Sequence, residues 1–162
     1  NFSESHFPDI LINNAGAGYF GEIDSLNSDQ WHQMIATNLN AVFYLTAAVV
    51  PLMKSTASSS HIINIGSILG KVSASGKSAY SATKFAMQGF SESLFKELRG
   101  HNIKVSCVNP GSIETGFFEA SGIAPDPQML QPKELADLLV CLLETPDNML
   151  IDELTVRPLR MG

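Results

Sequence analysis

Short runs rich in Val, Ile and Leu alternate along this chain with longer segments in which apolar residues recur at helical spacing. The runs occupy residues 9–13, 61–66, 103–109 and 150–156. The helical segments occupy residues 28–54, 79–99 and 132–144. The first three runs are apolar without alternation, which is typical of parallel strands covered on both faces. The alternation of strands and helices therefore predicts a doubly wound parallel sheet in a three-layer α/β/α fold.

Local signals support the helix boundaries. Asn27 precedes the first helical segment and Gln30 follows three residues later, a pairing typical of a helix start. Pro132 suits the first position of the last helix, in which leucines recur at spacings of three and four residues. The stretch 116–131 has no such pattern and is interpreted as a mobile flap.

Composition limits the kind of protein this can be. With 162 residues, of which 44% are hydrophobic, the chain is long enough for one domain with a sizeable core. The net charge of −6 and the scattered Lys and Arg residues disfavour nucleic acid or an anionic membrane surface as the main partner. The apolar stretches are of strand length or amphipathic, so no transmembrane span is predicted.

The cysteines and histidines give no sign of a metal site. Cys107 falls in a predicted strand and Cys141 in a predicted helix, and their spacing fits neither a metal site nor a disulfide framework. Both are interpreted as buried, reduced and structural, which agrees with a cytoplasmic location. The histidines at positions 6, 32, 61 and 101 are interpreted as surface or capping residues.

A serine, a tyrosine and a lysine form the first candidate for chemistry. Tyr80 and Lys84 are four residues apart, and positions i and i+4 share one face of a helix. Ser67 ends an apolar strand 13 residues before Tyr80. A hydroxyl at the end of a strand, facing a phenol and an ammonium on a helix, suits proton transfer to a carbonyl oxygen. Standing alone, the tyrosine–lysine pair would be interpreted as an ordinary surface pair.

Further motifs extend this pattern over nearly the whole chain. They are Asn13-Asn14-Ala15-Gly16, Asn38-Leu39, Gly66-Ser67, Tyr80-Ser81-Ala82-Thr83-Lys84 and Asn109-Pro110-Gly111-Ser112-Ile113-Glu114-Thr115. In this order and spacing, the motifs resemble those of the short-chain dehydrogenase/reductase (SDR) family. One departure is Ala41, which follows Asn38-Leu39-Asn40 where the family more often has glycine.

The resemblance implies a Rossmann fold of which a part lies outside these residues. The family's glycine-rich turn after the first strand, which holds the cofactor pyrophosphate, does not occur in the sequence. At roughly 30 residues per βαβ unit, residues 1–162 are interpreted as a single domain, the C-terminal two-thirds of an SDR Rossmann domain. The strand at 9–13 would then expose an apolar edge.

The resemblance also implies catalytic roles for Asn38, Ser67, Tyr80 and Lys84. Tyr80 would act as the acid–base group, and Ser67 would hydrogen-bond the substrate oxygen. Lys84 would help to lower the pKa of the Tyr80 phenol toward ~7 and would bind the hydroxyls of the nicotinamide ribose. Asn38 would hold a water that links Lys84 to solvent; the alternative is a packing hydrogen bond between helices.

A nicotinamide cofactor is the implied ligand, and its contacts follow by resemblance. Asn13, Ala15 and Gly16 would border its adenosine side, although a plain strand-to-loop turn would also account for them. Tyr80 and Lys84 would contact its other end. The segment after the third strand would add contacts from Pro110, Gly111, Ile113 and Thr115. The sequence does not separate NAD from NADP, and analogy with carbonyl reductases favours NADP; no metal is implied.

The predicted function is an NAD(P)-dependent oxidoreductase that transfers hydride between the cofactor and a carbonyl/alcohol pair. Two alternatives stay open: a non-catalytic NAD(P)-fold regulatory or scaffold protein, and a truncated product that binds little. Degenerate members of the family usually lose the tyrosine or the lysine. Both are present here, which favours catalysis.

The charges of the flap predict a neutral substrate. No Lys or Arg occurs between Ser112 and Gln131, whereas Glu114, Glu119 and Asp126 are acidic. A phosphate or carboxylate would find no bidentate partner there. The pocket walls are predicted to be Ile68, Leu69, Val72, Ala74, Phe117 and Phe118, with Ile113 and Met129 nearby. The predicted substrate is a small to medium-sized ketone, aldehyde or secondary alcohol.

The two long helices predict self-association. Helices 28–54 and 79–99 carry more apolar residues than one face of a sheet can cover. In the family these helices pair with their copies in a four-helix bundle. The resemblance therefore implies a homodimer or homotetramer through both helices.

Overall fold

The computed structural model describes residues 7–117 and 126–160, and its centre is a four-stranded parallel sheet. The strands follow one another in chain order as β1 (Ile10–Asn13), β2 (Ser60–Ile65), β3 (Ile103–Pro110) and β4 (Glu153–Val156). Each neighbouring pair is parallel. The carboxyl ends of the strands therefore meet at one edge of the sheet, and the predicted strands are confirmed to within a few residues.

Helices connect the strands, close to their predicted bounds. They are α1 (Ser28–Ile35) and α2 (Ala41–Lys54) between β1 and β2, α3 (Ser78–Leu98) between β2 and β3, and α4 (Pro132–Leu143) between β3 and β4. Asn27 and Gln30 form the expected capping box at the start of α1. Short 3₁₀ turns, Ile68–Gly70 and Arg99–His101, precede and follow α3.

The segment predicted as one helix over 28–54 contains a π-helical turn at Ala36–Asn40. Such turns are rare and occur often at functional sites. By length and composition alone, the joined segment is long and apolar enough to cross a membrane. One such segment is weak evidence of a span, so the expectation that no segment crosses a membrane stays a prediction. Buried core helices of globular proteins pass the same test, and Val49 and Met53 of α2 do pack in the core.

Two hydrophobic layers cover the sheet. On one face, Val49 of α2 and Leu94 of α3 share a cluster with Ile62 of β2. On the other face, Leu142 of α4 shares a cluster with Ile63 of β2. Successive strand residues point to opposite faces, and Ile62 and Ile63 are both fully buried. The three-layer α/β/α arrangement is therefore confirmed.

Strand β1 forms one edge of the sheet and, within the described residues, pairs with β2 alone. Its side chains alternate: Leu11 and Asn13 are buried, whereas Ile10 and Ile12 are 49% and 39% exposed. The predicted apolar edge is therefore present. An open edge with exposed isoleucines is a surface on which other chains can pair or pack.

Two predictions about single side chains are wrong. His61 is buried in β2 rather than on the surface, and its Nε2 lies 2.8 Å from Ser106 Oγ. Cys141 is exposed on α4, whereas Cys107 is buried in β3 as predicted. A strand covered on both faces has no exposed side, so even a polar residue such as His61 becomes buried there. The helix, by contrast, buries only one stripe, and Cys141 lies outside it.

Candidate active site

The loops that follow β1, β2 and β3 open onto one cleft of about 900 Å³ at the carboxyl edge of the sheet. This edge is where doubly wound folds bind their ligands. Predicted site residues that line the cleft are Ala15, Gly16, Ser67, Tyr80, Lys84, Pro110, Gly111, Ile113 and Thr115. Of the predicted site residues, Asn13 and Asn38 are the two that do not line it.

Tyr80 lies in the first turn of α3 and is 7% exposed. Its ring packs edge-on against Phe20, with 5.3 Å between centroids, and against Phe117 at 5.8 Å. Gly18 makes this packing possible, because an ideal Cβ on it would lie 2.3 Å from Phe117 Cζ and 3.2 Å from Tyr80 Cδ2. The phenol is therefore held in an aromatic wall of the cleft.

Burial shifts the pKa of the Tyr80 phenol and that of the Lys84 ammonium in the directions that favour the neutral form of each group. Burial raises the pKa of Tyr80 to about 12, and a hydrogen bond with Ser67 opposes this shift. Burial lowers the pKa of Lys84 to about 8, with Cys107 acting in the opposite direction. The expected lowering of the Tyr80 pKa toward ~7, to which the charge of a bound nicotinamide would contribute, stays a prediction. In this structure the cost of burying a charged phenolate outweighs its stabilisation.

Ser67 follows β2 and caps the 3₁₀ turn Ile68–Gly70. Its Oγ accepts a hydrogen bond from the Leu69 N–H at 3.1 Å. This bond uses an acceptor position of the hydroxyl, so its O–H remains a donor for the hydrogen bond with Tyr80. Ser67 is 8% exposed and lines the cleft together with Tyr80. The predicted meeting of strand end and helix is thus present in the structure.

Lys84 lies one turn after Tyr80 on α3 and is 4% exposed. Its Nζ donates to the backbone carbonyl of Ile65 at 2.9 Å and lies 5.6 Å from the centroid of the Tyr80 ring. An ammonium has three N–H groups, so this bond leaves two that can donate into the cleft. The loop after β1 approaches the same ammonium, since an ideal Cβ on Gly16 would lie 3.9 Å from Nζ.

Asn38 belongs to the π turn and acts as a clamp. Its Oδ1 accepts from the N–H of Ala17 at 2.8 Å, and its Nδ2 donates to the carbonyl of Ala17 at 2.9 Å. Nδ2 also donates to Thr83 Oγ1 on α3 at 3.0 Å. The side chain therefore links the loop after β1 to α3. Its bond to Thr83 is a packing hydrogen bond between helices, the alternative to a water-binding role for Asn38. A water between Asn38 and Lys84 stays a prediction.

The side chain of Asn13 does not border the cleft, which corrects its predicted place beside the cofactor. It donates to Asn64 Oδ1 at 2.7 Å and to Thr46 Oγ1 at 3.3 Å. Asn64 in turn donates to Ser91 Oγ at 2.8 Å. These bonds join β1 to β2 and to α2 and α3 below the sheet, because residue 13 points to the buried face. The next residue, Asn14, lines the cleft instead.

The apolar walls agree with the predicted ones in part. Ile68, Leu69, Ile113, Phe117 and Met129 line the cleft. Val72 and Ala74 do not, because the chain turns away after the 3₁₀ turn and leaves both exposed. Phe118 lies outside the described residues.

Phe20 and Lys77 also line the cleft, and the sequence analysis missed them. The Lys77 Nζ lies 3.4 Å from the centroid of the Phe20 ring, which is a cation–π contact. Partial burial lowers the pKa of Lys77. The neutral substrate was predicted from the charges of the flap alone, whereas Lys77 belongs to the segment just before Tyr80. Its position three residues ahead of Tyr80 was the signal available in the sequence.

The cleft thus presents a phenol, a hydroxyl and an ammonium to one space with apolar walls. A phenol and a hydroxyl together can hold a carbonyl or alcohol oxygen, and the phenol can exchange a proton with it. Among residues 7–117 and 126–160, no three His, Cys, Asp or Glu side chains lie close enough together to hold a metal ion. The chemistry available to these side chains is proton transfer and oxyanion binding.

Comparison of the sequence with known proteins gives a family match. A sequence profile of the family described as short chain dehydrogenase matches residues 7–124. An uncharacterized oxidoreductase of Staphylococcus aureus is 35% identical over 150 residues, which cover 93% of this chain and 64% of that protein. The chain therefore spans just under two thirds of the length of this curated relative.

Solved structures with the same fold include nucleotide complexes. A metagenomic short-chain oxidoreductase in complex with NADP is 35% identical, with a TM-score of 0.77 over 94% of this chain and 62% of that one. Serine dehydrogenase from Escherichia coli is 31% identical, with a TM-score of 0.78 over 91% and 62%. An alcohol dehydrogenase from Thermococcus sibiricus, complexed with 5-hydroxy-NADP, is 25% identical, with a TM-score of 0.85 over 95% and 64%.

Proposed function

This chain belongs to the short chain dehydrogenase family, and from that membership we propose that it is an NAD(P)-dependent oxidoreductase acting on a carbonyl/alcohol pair. The observation that carries the proposal is the meeting of Ser67, Tyr80 and Lys84 at one cleft on the carboxyl edge of its Rossmann-type sheet. A purely structural protein would have no need to bury an ammonium and a phenol side by side, at a cost to both charged forms.

The side chains around the cleft fit a nicotinamide dinucleotide. The two N–H groups of Lys84 that Ile65 leaves free can donate to ribose hydroxyls. Ala15 and Gly16 line the cleft and are proposed to border the adenosine side of the cofactor. Residues proposed to border the nicotinamide are Pro110, Gly111, Ile113 and Thr115. The cofactor supplies or accepts the hydride when it is bound.

The proposed cofactor is NADP or NAD, with NADP preferred. The residues described here do not discriminate between the two. The preference rests on relatives: the metagenomic oxidoreductase is in complex with NADP, and the archaeal alcohol dehydrogenase with 5-hydroxy-NADP.

In the proposed mechanism, the substrate oxygen accepts hydrogen bonds from Ser67 and Tyr80. Because burial keeps the Tyr80 pKa near 12, the phenol is protonated at neutral pH and can donate its proton to a carbonyl oxygen. Lys84, still mostly charged at neutral pH with a pKa of about 8, stabilises the phenolate that proton donation leaves behind.

We propose a neutral, fairly apolar ketone, aldehyde or secondary alcohol as the substrate. Ile68, Leu69, Phe117 and Met129 supply apolar contact, and the Ser67–Tyr80 pair holds one oxygen. Lys77 is the basic side chain that could change this preference, but its Nζ is engaged with the Phe20 ring.

A substrate panel tests the proposal. Native protein is assayed with NADPH and with NADH on matched pairs of carbonyl compounds that differ only in a carboxylate or phosphate. The expected result is cofactor oxidation with the neutral member of each pair and faster turnover with NADPH. A consistent preference for the anionic members would contradict the neutral substrate. The absence of turnover on every pair, with nucleotide binding retained, would favour the non-catalytic alternative.

We also propose a homodimer or homotetramer formed through helices 28–54 and 79–99, in the cytoplasm. The outer faces of α2 and α3 carry exposed Phe43, Leu45 and Phe85. Exposed apolar residues grouped in this way mark protein interfaces.

A further inference from the structure

Four hydrogen bonds, together with the backbone from Ser67 to Lys71, form a closed ring. The Ser67 N–H donates to Asn109 Oδ1 at 3.2 Å, and Asn109 Nδ2 donates to Gln88 Oε1 at 3.0 Å. Gln88 Nε2 donates to Glu153 Oε2 at 2.7 Å, and the same oxygen accepts from Lys71 Nζ at 2.6 Å. Lys71 and Ser67 stand at the two ends of one 3₁₀ turn. The bonds therefore hold this turn at both ends, through α3, β3 and β4.

The buried part of the ring has one orientation. Asn109 is fully buried, and its amide oxygen and nitrogen have different partners in the ring. Rotating the amide would leave a buried donor facing the Ser67 N–H, which is unfavourable. Gly66 is matched to this arrangement, because an ideal Cβ there would lie 2.1 Å from Asn109 Oδ1. Any larger residue at position 66 would push the amide out of the ring.

We propose that Asn109 is a positioning residue that acts through Ser67, and that Gln88, Glu153 and Lys71 support it. This inference rests on the proposed oxidoreductase function. Asn109 itself does not line the cleft, whereas Ser67 does. By fixing the backbone on both sides of the Ser67 hydroxyl, the ring sets where that hydroxyl meets the substrate oxygen beside Tyr80. Small displacements of such a group cost large factors in rate.

A double-mutant cycle tests whether the ring acts through Ser67. Asn109→Ala and Glu153→Ala are each made alone and together with Ser67→Ala. The expected result is a fall in kcat of about tenfold for Asn109→Ala and about threefold for Glu153→Ala, with KM nearly unchanged. In the Ser67→Ala background, either change should lower kcat by less than about twofold, because the group that the ring positions is gone.

Glu92→Ala is the matched control. It removes a second Lys–Glu pair of the same 2.6 Å length, on the exposed surface of α3 and outside the ring, and should leave kcat unchanged. Equal losses with and without Ser67 would overturn the proposal, since the ring would then act on the protein as a whole. No loss from either Asn109→Ala or Glu153→Ala would also overturn it.

Hydrogen–deuterium exchange separates this inference from the proposed function. Segment 67–71 should exchange about tenfold faster in Asn109→Ala and in Glu153→Ala than in the wild type. The Ser67 N–H loses its acceptor in the first variant, and Lys71 and Gln88 lose theirs in the second. Exchange of this segment should be unchanged in Glu92→Ala. This readout needs no activity. If the wild type reduces no carbonyl compound, the proposed function fails. Unchanged exchange in both ring variants would, separately, overturn the ring as a positioning device.

Discussion

At the residue scale, burial sets the protonation state of the titratable side chains. Tyr80 and Lys84 share the cleft, yet at neutral pH the phenol keeps its proton and the ammonium keeps most of its charge. Burial also favours the neutral form of His61, away from the cleft. Burial and the charge of Lys104 lower the pKa of His61 to about 4. A neutral imidazole there is part of the folded structure, where its Nε2 meets Ser106.

His61 should make the protein less stable in mild acid. An unfolded histidine titrates near 6.5, whereas the folded pKa is about 4, so between these values the unfolded state binds the extra proton. The contribution of His61 to stability is therefore intact above about pH 6.5 and is lost as the pH falls toward about 4, by roughly 3 kcal/mol in total. Urea unfolding of the wild type and His61→Gln at several pH values measures this difference.

The control for this experiment is His32→Gln, because His32 is exposed on α1. The stability of His61→Gln should fall less between pH 6.5 and 4 than that of the wild type, while His32→Gln should follow the wild type. An equal acid loss in wild type and His61→Gln would show that His61 does not carry the effect.

The sequence identified Ser67, Tyr80 and Lys84 but not the environment of each side chain. Spacing along a strand end and a helix is a local property, so these three could be placed together before the structure was known. The direction of a pKa shift depends on burial by distant segments such as the loop that carries Phe20. The predicted place of Asn13 was wrong for a related reason. The face of β1 toward which a side chain points is decided by distant segments, and the Asn13 amide points to the buried face, where it donates to Asn64.

At the element scale, the 3₁₀ turn Ile68–Gly70 connects β2 to the helix that carries Tyr80. Gly70 lies against the backbone of α3, because an ideal Cβ there would be 2.6 Å from the Lys84 carbonyl oxygen. A backbone atom within a helix cannot move aside as a side-chain end can. The close approach of turn and helix, and with it the distance between Ser67 and Lys84, therefore requires glycine at this position.

Gly70→Ala should destabilise the protein by about 1–3 kcal/mol, the usual cost of overpacking, and should lower turnover. Gly89→Ala is the matched control on α3, where the added Cβ would meet no atom within 4 Å. Alanine is the better helix former, so this control should stabilise by about 0.5–1 kcal/mol. Chemical denaturation of both variants measures the difference; equal stabilities would contradict the packing of the turn on α3.

The strands, helices and caps could be predicted because their signals are local: apolar runs, helical spacing and the Asn27 cap. The π turn at Ala36–Asn40 could not, because it depends on contacts with distant segments rather than on a local signal. Tertiary contacts hold it, above all those between Asn38, Ala17 and Thr83. Tertiary contacts also place Lys77 at the cleft, which local spacing alone did not reveal.

At the scale of the whole molecule, two exposed apolar surfaces of the described residues bear on assembly. One is the edge strand β1, with Ile10 and Ile12 exposed. The other is the outer face of α2 and α3, where Phe43 is 55% exposed beside a groove of about 310 Å³. Monomeric proteins rarely leave large contiguous patches of this kind open to water. The sequence predicted both the apolar edge of β1 and the excess of apolar residues on the two long helices, whereas which of these side chains are exposed required the structure.

The α2–α3 face should hold two or more copies together. Light scattering on the native protein at micromolar concentration should give the mass of a dimer or tetramer. Phe43→Glu should lower that mass, because a buried unpaired carboxylate is strongly unfavourable. Ile23→Glu, at an exposed loop residue away from these helices, should leave the mass unchanged. A monomeric wild type would contradict the proposed assembly.

Turnover of Tyr80→Phe measured against Tyr44→Phe tests the central claim most directly, because both changes remove one phenolic hydroxyl. Tyr44 is 66% exposed on α2, whereas Tyr80 is buried in the cleft. Carbonyl reduction by Tyr80→Phe should be at least ~10²-fold slower, the lower end of what general acid–base catalysis contributes. Cofactor affinity, followed by fluorescence titration, should be unchanged, and Tyr44→Phe should match the wild type. Near wild-type turnover by Tyr80→Phe on any accepted substrate would contradict the claim that Tyr80 is the acid–base group.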